Sequence, residues 1–471
     1  MRNLLRLLIT AVLLSSAPLA AAGPISGPLR VHPENPRYFA DGSGRAIFLV
    51  GSHTWANFQE RGVKGQTPDF DYEAYLDFLV DHGHNFMRMW RWEHAKWMQF
   101  ASDDTPIRYA PMAYMRTGPG NALDGKPRFD VTEFNQAYFD RMRERVVAAG
   151  KRGIYVSVML FQGFSIEQKG TKGVNPKKGN AWEGHPFNAK NNINGVNGDI
   201  NGNGEGEETH TLTNPEVLRL QEAYVRKVID TLNDLDNVLY EVSNESHGAS
   251  TKWQYHIIKF VKKYEQGKAQ QHPVGMSFQW GRNKGTNANL FESPADWICP
   301  NGGQFLDDPP AGDGSKIVIV DTDHIKPWDS DPSWVWKNLL RGNHFILMDS
   351  YRDFRIGVPA QIDSKHEPTR AAMGYARRLT ETLALHAMAP TGDAASTGYC
   401  LADPGREYLV YRPAKAGPKI RMKIAAGRYT TTWIDASNSK HNPLGTVKVE
   451  GGEHSFVPAG KGPMLLHLKR K

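Results

Sequence analysis

Short apolar runs alternate with amphipathic stretches of helical period through the first four-fifths of the chain. Eight runs have the composition of buried parallel strands, at 46–51, 85–90, 154–160, 237–242, 274–278, 296–299, 317–320 and 344–348. Amphipathic helices are predicted at 71–82, 134–149, 215–235, 253–264, 333–341 and 369–388. Eight buried-type strands that alternate with helices predict an α/β fold, namely a (β/α)8 TIM barrel. A doubly wound open sheet is the structural alternative, but no Gly-rich fingerprint follows any of these strands.

The pattern changes at about residue 397 to short strands of period two, separated by Gly, Pro and Asn. Five are predicted, at 408–411, 419–424, 429–434, 446–449 and 464–467. We therefore expect a small C-terminal β-sandwich over 397–471, after a barrel domain over 23–392.

The first 22 residues have the pattern of a signal peptide. Arg2 and Arg6 supply positive charge, an apolar run covers 7–14, and Ala20 to Ala22 form a small-residue cleavage site. No later stretch is predicted to span a membrane. The sequence thus predicts a secreted or periplasmic protein. Its two cysteines, Cys299 and Cys400, could form a disulfide or remain two separate buried thiols.

The net charge does not indicate a nucleic-acid partner. The chain has 57 Lys+Arg and 50 Asp+Glu, a formal charge of +7. Cleavage after residue 22 leaves +5, of which Lys469, Arg470 and Lys471 supply three at the C-terminus. The chain's 12 Trp, 17 Tyr and 20 Phe are instead the composition of a protein with aromatic-lined surfaces.

Carboxylates follow two strands on opposite sides of the predicted barrel. Asn244 and Glu245 end the fourth strand, and Asp321 and Asp323 follow the seventh. Active sites of such barrels lie at the carboxyl ends of the strands. Hydrolysis of a glycosidic bond needs one protonated and one ionised carboxyl group, and Arg88 on strand two would keep a strand-seven aspartate ionised. Asp321 or Asp323 could instead form a structural ion pair with an arginine.

Other side chains at the strand ends are candidates for contacting a sugar, because polar groups fix its hydroxyls and aromatic faces pack on its rings. The candidate substrate-binding residues are His53, Trp55, Arg88, Trp92, Gln162, Asn244, His324, Trp328, Asp349 and Tyr351. The histidines could equally be satisfied residues of the barrel mouth, and the tryptophans could be core anchors.

The long loop after the third strand contains a weak calcium motif. Asp199, Asn201 and Asn203 have the alternate spacing of the first half of an EF-hand loop. The twelfth position, where a bidentate Glu belongs, is His210, so a cluster of Gly/Asn turns is the default interpretation. No metal site or other cofactor is predicted, with calcium as the alternative. A loop of this length is expected to shape the substrate cleft.

The Asn-Glu pair that ends a hydrophobic fourth strand resembles the acid/base motif of glycoside hydrolase clan A. Nearly all of the chain after the signal peptide, with a barrel over roughly 30–390 and a module over roughly 397–471, resembles the apiosidase-like barrels (domain of unknown function 4038) that carry a C-terminal module labelled a collagen-binding domain. The resemblance implies that Glu245 is the acid/base and that Asn244 holds the substrate's 2-hydroxyl. The clan nucleophile is a Glu after strand seven, but no Glu occurs between Glu292 and Glu367. Aligning the family's Asp-Gly-Glu strand end with Asp321-Thr322-Asp323 puts Asp323 at the nucleophile position, with Asp321 as the reserve candidate.

These observations predict a secreted glycoside hydrolase acting on a polysaccharide or oligosaccharide, with a Glu acid/base and an Asp nucleophile or base. The alternative is a non-catalytic carbohydrate- or matrix-binding protein built on a degenerate barrel. A metal-dependent collagenase is disfavoured, because the sequence contains no His-Glu-x-x-His.

Overall fold

The computed structural model describes residues 24–63, 70–97, 107–167, 169, 180–302, 304–322, 332–349, 351, 362 and 364–471. The predicted signal peptide and three candidate site residues, Asp323, His324 and Trp328, lie outside the described residues.

Eight parallel strands close into a barrel in which each strand pairs with the next along the chain and the eighth with the first. They are β1 (Val50–His53), β2 (Phe86–Met89), β3 (Tyr155–Gln162), β4 (Val238–Asn244), β5 (Val274–Ser277), β6 (Trp297–Cys299), β7 (Ile317–Asp321) and β8 (His344–Met348). Apart from the half-buried Met348, every residue of these strands is buried, which explains their near-continuous apolar sequence. The predicted (β/α)8 barrel is confirmed.

A helix follows each strand. They are α1 (Tyr72–Asp81), α2 (Gln136–Gly150), α3 (Pro215–Leu232), α4 (Thr251–Glu265), α5 (Asn287–Phe291), α6 (Gln304–Asp307), α7 (Ser333–Leu340) and α8 (Glu367–Thr380). Side-chain caps begin two of them: Asp71 accepts from the Ala74 amide and Asn214 from the Val217 amide.

Two predicted elements have different bounds in the structure. The apolar run 46–51 is divided: Ala46–Ile47 pairs antiparallel with Phe39–Ala40, and the barrel strand begins only at Val50. The helix predicted over 369–388 ends at Thr380, and a turn of 3-10 helix at Leu385–Ala387 follows. Both differences arise because an apolar run does not reveal where the chain changes direction.

The loops carry short strands that the sequence did not predict. One three-stranded sheet consists of Arg30–Val31, Phe39–Ala40 and Ala46–Ile47. A second consists of Glu60–Val63, Lys96–Trp97 and Ile107–Ala110. A hairpin is formed by Tyr114–Asn121 and Pro127–Phe134. Further 3-10 turns occur at Gly163–Ser165, Ala181–Gly184, Glu207–His210, Gly248–Ser250, Ser364–His366 and Gly392–Ala394.

The C-terminal strands form two antiparallel sheets, which confirms the predicted β-sandwich. They are β9 (Ala389–Pro390), β10 (Cys400–Asp403), β11 (Glu407–Arg412), β12 (Ile420–Ile424), β13 (Gly427–Asp435), β14 (His441–Val449), β15 (Gly452–Phe456) and β16 (Met464–Arg470). Six form one sheet in the order β9-β10-β11-β16-β13-β14, and β12 pairs with β15.

The central strands β11 and β16 of the larger C-terminal sheet pack on both faces. One face, with Leu409, Tyr411 and Leu465, belongs to the same apolar cluster as the barrel. The Trp336 indole on α7 donates to the carbonyl of Ala436, 3.0 Å away. The other face packs in a separate cluster with β12 and β15.

Both cysteines are buried thiols, and no disulfide joins Cys299 to Cys400. Within the described residues, no helix has both the length and the apolar character needed to cross a bilayer.

Candidate active site

The barrel interior contains a charged cluster at the level of β4. Glu241, in the middle of that strand, is fully buried and accepts hydrogen bonds from Ser157 on β3 and Ser277 on β5. Since these partners lie on the strands at either side, the carboxylate points into the barrel.

Arg88, at the third position of β2, connects this cluster. Its guanidinium donates from Nε to Glu241 Oε2 (2.8 Å), from Nη1 to Asp321 Oδ2, and from Nη2 to Asn244 Oδ1 (3.1 Å). Burial opposes the charge of Arg88, but Glu241 and Asp321 raise its pKa above the ordinary value. Arg88 is therefore a permanent cation beneath the barrel mouth.

Asp321 ends β7 and is fully buried. Besides the bond from Arg88, its Oδ1 lies 3.1 Å from Nε2 of His53 at the end of β1. The His53 ring stacks on Trp90 with a centroid separation of 5.1 Å. Both oxygens of Asp321 are thus held by buried partners. Of the two strand-seven candidates, only Asp321 lies in the described part of the chain.

Asn244 and Gln162 lie side by side because β3 and β4 pair them in register. The Asn244 amide donates to Gln162 Oε1 (3.2 Å) and its own oxygen accepts from Arg88. The backbone amide of Gln162 donates to Glu93 Oε1 (2.6 Å). This chain of bonds fixes the orientation of the Asn244 side chain.

Glu245 is the first residue after β4 and is only partly buried, unlike Glu241 and Asp321. Burial raises the pKa of Glu245; Lys169 and Arg88 act in the opposite direction, and Asp321 adds to the increase. The net direction is upward, which favours the protonated form that a general acid needs. Glu245 also has a positive φ of 50°, which is uncommon for a residue with a side chain.

Lys169, in the loop after β3, contacts the peptide of Glu245. Its ammonium donates to the Glu245 backbone carbonyl and, at 2.8 Å, to that of Trp280. Burial lowers the pKa of Lys169, while Glu245 and Glu167 partly counteract that effect.

A second buried ion cluster supports this end of the barrel. Glu93 lies 3.6 Å from Arg91, 3.5 Å from His185 Nε2 and 3.3 Å from His210 Nε2. Burial alone would raise the pKa of Glu93, but Arg91 and the two nearby histidines hold it well below its usual value. His210 Nδ1 lies 3.0 Å from the hydroxyl of Ser246, the residue after Glu245.

The aromatic candidates differ in accessibility. Trp55 is partly exposed, whereas Trp92 is 1% exposed and donates its indole N–H to the Trp55 carbonyl. Trp280, three residues after β5, is also partly exposed, with Lys284 over its ring at 4.3 Å. Trp55 and Trp280 are therefore better placed than Trp92 to stack on a sugar ring.

Asp349 and Tyr351 follow β8 but bind other parts of the protein. Asp349 accepts two hydrogen bonds from Arg370 of α8, at 2.6 and 2.8 Å. Tyr351 is 3% exposed and packs against Tyr75 and Phe78 of α1. The structure does not bring these two side chains to the cluster around Arg88.

The candidate calcium loop is closed by its own hydrogen bonds. Asp199 accepts from the Gly204 amide, Asn201 from the Asn203 amide, and Asn203 from the Glu205 amide, each at 2.9 Å. Within the described residues, no group of three His, Cys, Asp or Glu side chains is arranged to hold a metal ion. The loop has the turn geometry that its Gly and Asn content favours.

The sequence did not indicate Glu241, Glu93, Lys169 or Trp280 as site residues. Glu241 could have been found, because a carboxylate inside a fully apolar strand must have a buried partner. Glu93 and Lys169 lie in irregular segments, where no periodicity reports the direction of a side chain.

The cluster brings together a carboxyl group with a raised pKa (Glu245), a permanent cation (Arg88) and an oriented amide (Asn244). Such a set can donate a proton, stabilise negative charge and hold a hydroxyl. Proton transfer to a leaving oxygen is the chemistry that it suits.

Comparison with known proteins agrees with this architecture. Residues 88–281 match the family model of a domain of unknown function, DUF6298. No curated protein matches the chain.

Several solved structures are similar over nearly the whole chain. A glycoside hydrolase family 5 protein from Bacteroides vulgatus aligns with a TM-score of 0.61 and 14% identity, over 94% of both chains. A second protein, described as a glycoside hydrolase, aligns with a TM-score of 0.58 and 15% identity, over 94% of this chain and 97% of the other. A further Bacteroides vulgatus protein gives a TM-score of 0.64 and 13% identity, over 94% of this chain and 82% of the other. The chain therefore has the barrel fold of glycoside hydrolases, while the apiosidase-like subtype and the collagen-binding label stay predictions.

Proposed function

We propose that this protein is a secreted glycoside hydrolase that cleaves glycosidic bonds in a polysaccharide or oligosaccharide. The observation that carries the proposal is Glu245, the residue after β4, which is partly exposed and whose carboxyl pKa is raised by burial and by Asp321. Glycoside hydrolysis requires such a group beside a second, ionised carboxylate.

In this mechanism Glu245 donates its proton to the glycosidic oxygen as the bond to the anomeric carbon breaks. Asn244, held by Arg88 and Gln162, binds a sugar hydroxyl next to the reacting carbon. The partly exposed Trp55 and Trp280 provide apolar faces for the sugar rings.

Strand β7 supplies the second carboxylate. The two oxygens of Asp321 are already held by Arg88 and His53, and the residue is fully buried. These contacts support a holding role for Asp321 and favour Asp323, two residues further along the chain, as nucleophile or base. His324 and Trp328 are proposed substrate contacts from their positions in the sequence.

The proposal is tested by incubating a broad panel of plant and microbial glycans with wild type, Glu245→Gln and the surface control Glu292→Gln. We expect wild type and the control to release reducing ends at the same rate from at least one substrate. Loss of the general acid should slow Glu245→Gln by about 100- to 10,000-fold. Equal rates for wild type and Glu245→Gln would disprove the assignment. Binding of a glycan without any released reducing ends would favour the non-catalytic alternative.

The same assay, together with thermal denaturation, distinguishes the roles of Asp321 and Asp323. Asp323→Asn should remove turnover. Asp321→Asn should lower the thermal denaturation midpoint, because it changes a buried ion cluster. The anomer first released, read by proton NMR, reports retention or inversion. An active Asp323→Asn variant would transfer the catalytic role to Asp321.

A further inference from the structure

Lys169 connects three loops at the barrel mouth. It follows β3, and its ammonium donates to the carbonyl of Glu245 after β4 and to that of Trp280 after β5. The Glu167 carboxylate, 3.4 Å away, is its counterion. A buried ammonium that donates to two main-chain carbonyls fixes the relative positions of those loops.

The peptide that Lys169 contacts has an unusual conformation. With a φ of 50°, Glu245 lies in the left-handed region, which is strained for a residue other than glycine. Gly163 also packs so closely that a Cβ there would lie 2.4 Å from the Glu245 carbonyl oxygen. The carbonyl of Glu245 is therefore in contact with both a glycine and an ammonium group.

We propose that Lys169 is a positioning residue for Glu245: its ammonium holds the left-handed peptide that directs this carboxyl group into the barrel mouth. The inference rests on the proposed function only in treating Glu245 as the proton donor. It assigns to the loop after β3 the task of supporting the acid, in addition to shaping the cleft.

The same ammonium acts on the charge of Glu245. Three groups face this carboxyl: Lys169 and Arg88 lower its pKa, and Asp321 raises it. Lys169 itself faces Glu167 and Glu245, and its charge also lowers the pKa of nearby His247. Without the ammonium of Lys169, Arg88 would be the only one of these groups that lowers the pKa of Glu245, while burial and Asp321 would still raise it. Removing the ammonium should therefore raise this pKa further.

The test compares wild type with Lys169→Met, Lys169→Arg and Lys190→Met. Methionine keeps the length of the side chain without its charge, and arginine keeps a cation that can donate to carbonyls. Lys190 is an exposed lysine of the same loop and serves as the matched control. The pKa of Glu245 is read without substrate from the carboxyl signal of ¹³C-labelled glutamate, which Glu245→Gln identifies.

We expect Lys169→Met to raise the pKa of Glu245 and to lower kcat about 100-fold, as a misplaced catalytic group does. The alkaline limb of its pH–rate profile should move to higher pH, because the acid stays protonated longer. Lys169→Arg should have a Glu245 pKa and a kcat close to those of wild type. Lys190→Met should match wild type in both.

An unchanged Glu245 pKa together with an unchanged kcat in a folded Lys169→Met variant would overturn the proposal and leave the hydrolase assignment intact. If no glycan is cleaved by wild type, the NMR titration still decides the role of Lys169. If Lys169→Met does not fold, the NMR titration and thermal melt of Lys169→Arg decide the role of Lys169. A Glu245 pKa far from the wild-type value in a folded Lys169→Arg variant would then overturn the proposal.

Discussion

Replacing Arg88 with methionine would leave two buried carboxylates without their shared cation. Arg88 is 2% exposed, and Glu241 and Asp321 are fully buried. Methionine fills a similar volume of apolar stem but has no donor for either carboxylate. The variant therefore tests whether this cluster is an electrostatic unit.

The size of the effect follows from these contacts. Removing one partner of a buried ion pair costs about 3–5 kcal/mol, and here one guanidinium is shared by two carboxylates. We expect Arg88→Met to lose at least about 3–5 kcal/mol of unfolding free energy at pH 8.

Guanidinium denaturation at pH 8, followed by tryptophan fluorescence, measures the difference in unfolding free energy between variant and wild type. Arg88→Lys is the matched control for charge, since it keeps a cation without the planar fork. A triple variant that adds Glu241→Gln and Asp321→Asn removes all three charges and should recover part of the loss. A single variant within about 1 kcal/mol of wild type at pH 8 would refute this reasoning.

Two further predictions concern single positions. The pKa of Glu245 is raised in the folded protein, so its contribution to stability is complete below its unfolded value of about 4.3 and is lost as the pH rises through the folded value. The Tm of Glu245→Gln should therefore rise relative to the Tm of wild type as the pH increases from 4 to 8. A difference between the two Tm values that calorimetry finds to be independent of pH would contradict this. Gly51→Ala should destabilise the barrel by about 3 kcal/mol or prevent folding, because a Cβ there would lie 1.6 Å from the Phe86 carbonyl oxygen of β2. Gly462→Ala, with no atom within 4 Å of the added Cβ, should change the denaturation midpoint little, and equal effects of the two substitutions would disprove the packing argument.

The barrel was predictable because its strands are buried on all sides. A run such as 317–320 has no polar face, and its spacing from the next run leaves room for one helix. The run 46–51 is equally apolar throughout, so the sequence does not show that Ala46–Ile47 and Val50–His53 are separate strands. An apolar run has the same appearance in a hairpin and in a barrel strand.

The position of Glu245 was also predictable, because the last residues of a buried strand must lie at the barrel mouth. The roles of its neighbours were harder to infer. Lys169 is 76 residues away in sequence and reaches Glu245 only through the path of an irregular loop. In the sequence, His210 stands out only because it occupies the twelfth position of the calcium motif, whereas in the structure it lies against both Glu93 and Ser246. Local pattern carries no information about such long-range contacts.

The shared core of the barrel and the C-terminal sheet restricts how this chain could be dissected or recombined. Leu409 and Leu465 belong to the barrel's cluster, and Trp336 of α7 is bonded to the C-terminal region through Ala436. Cutting the gene between the two parts would expose an apolar surface on each product, and such surfaces promote aggregation. A truncated barrel would therefore need compensating polar substitutions on α7 before it could be used alone. In a chimera, this helix and the sheet that covers it should be exchanged as one unit.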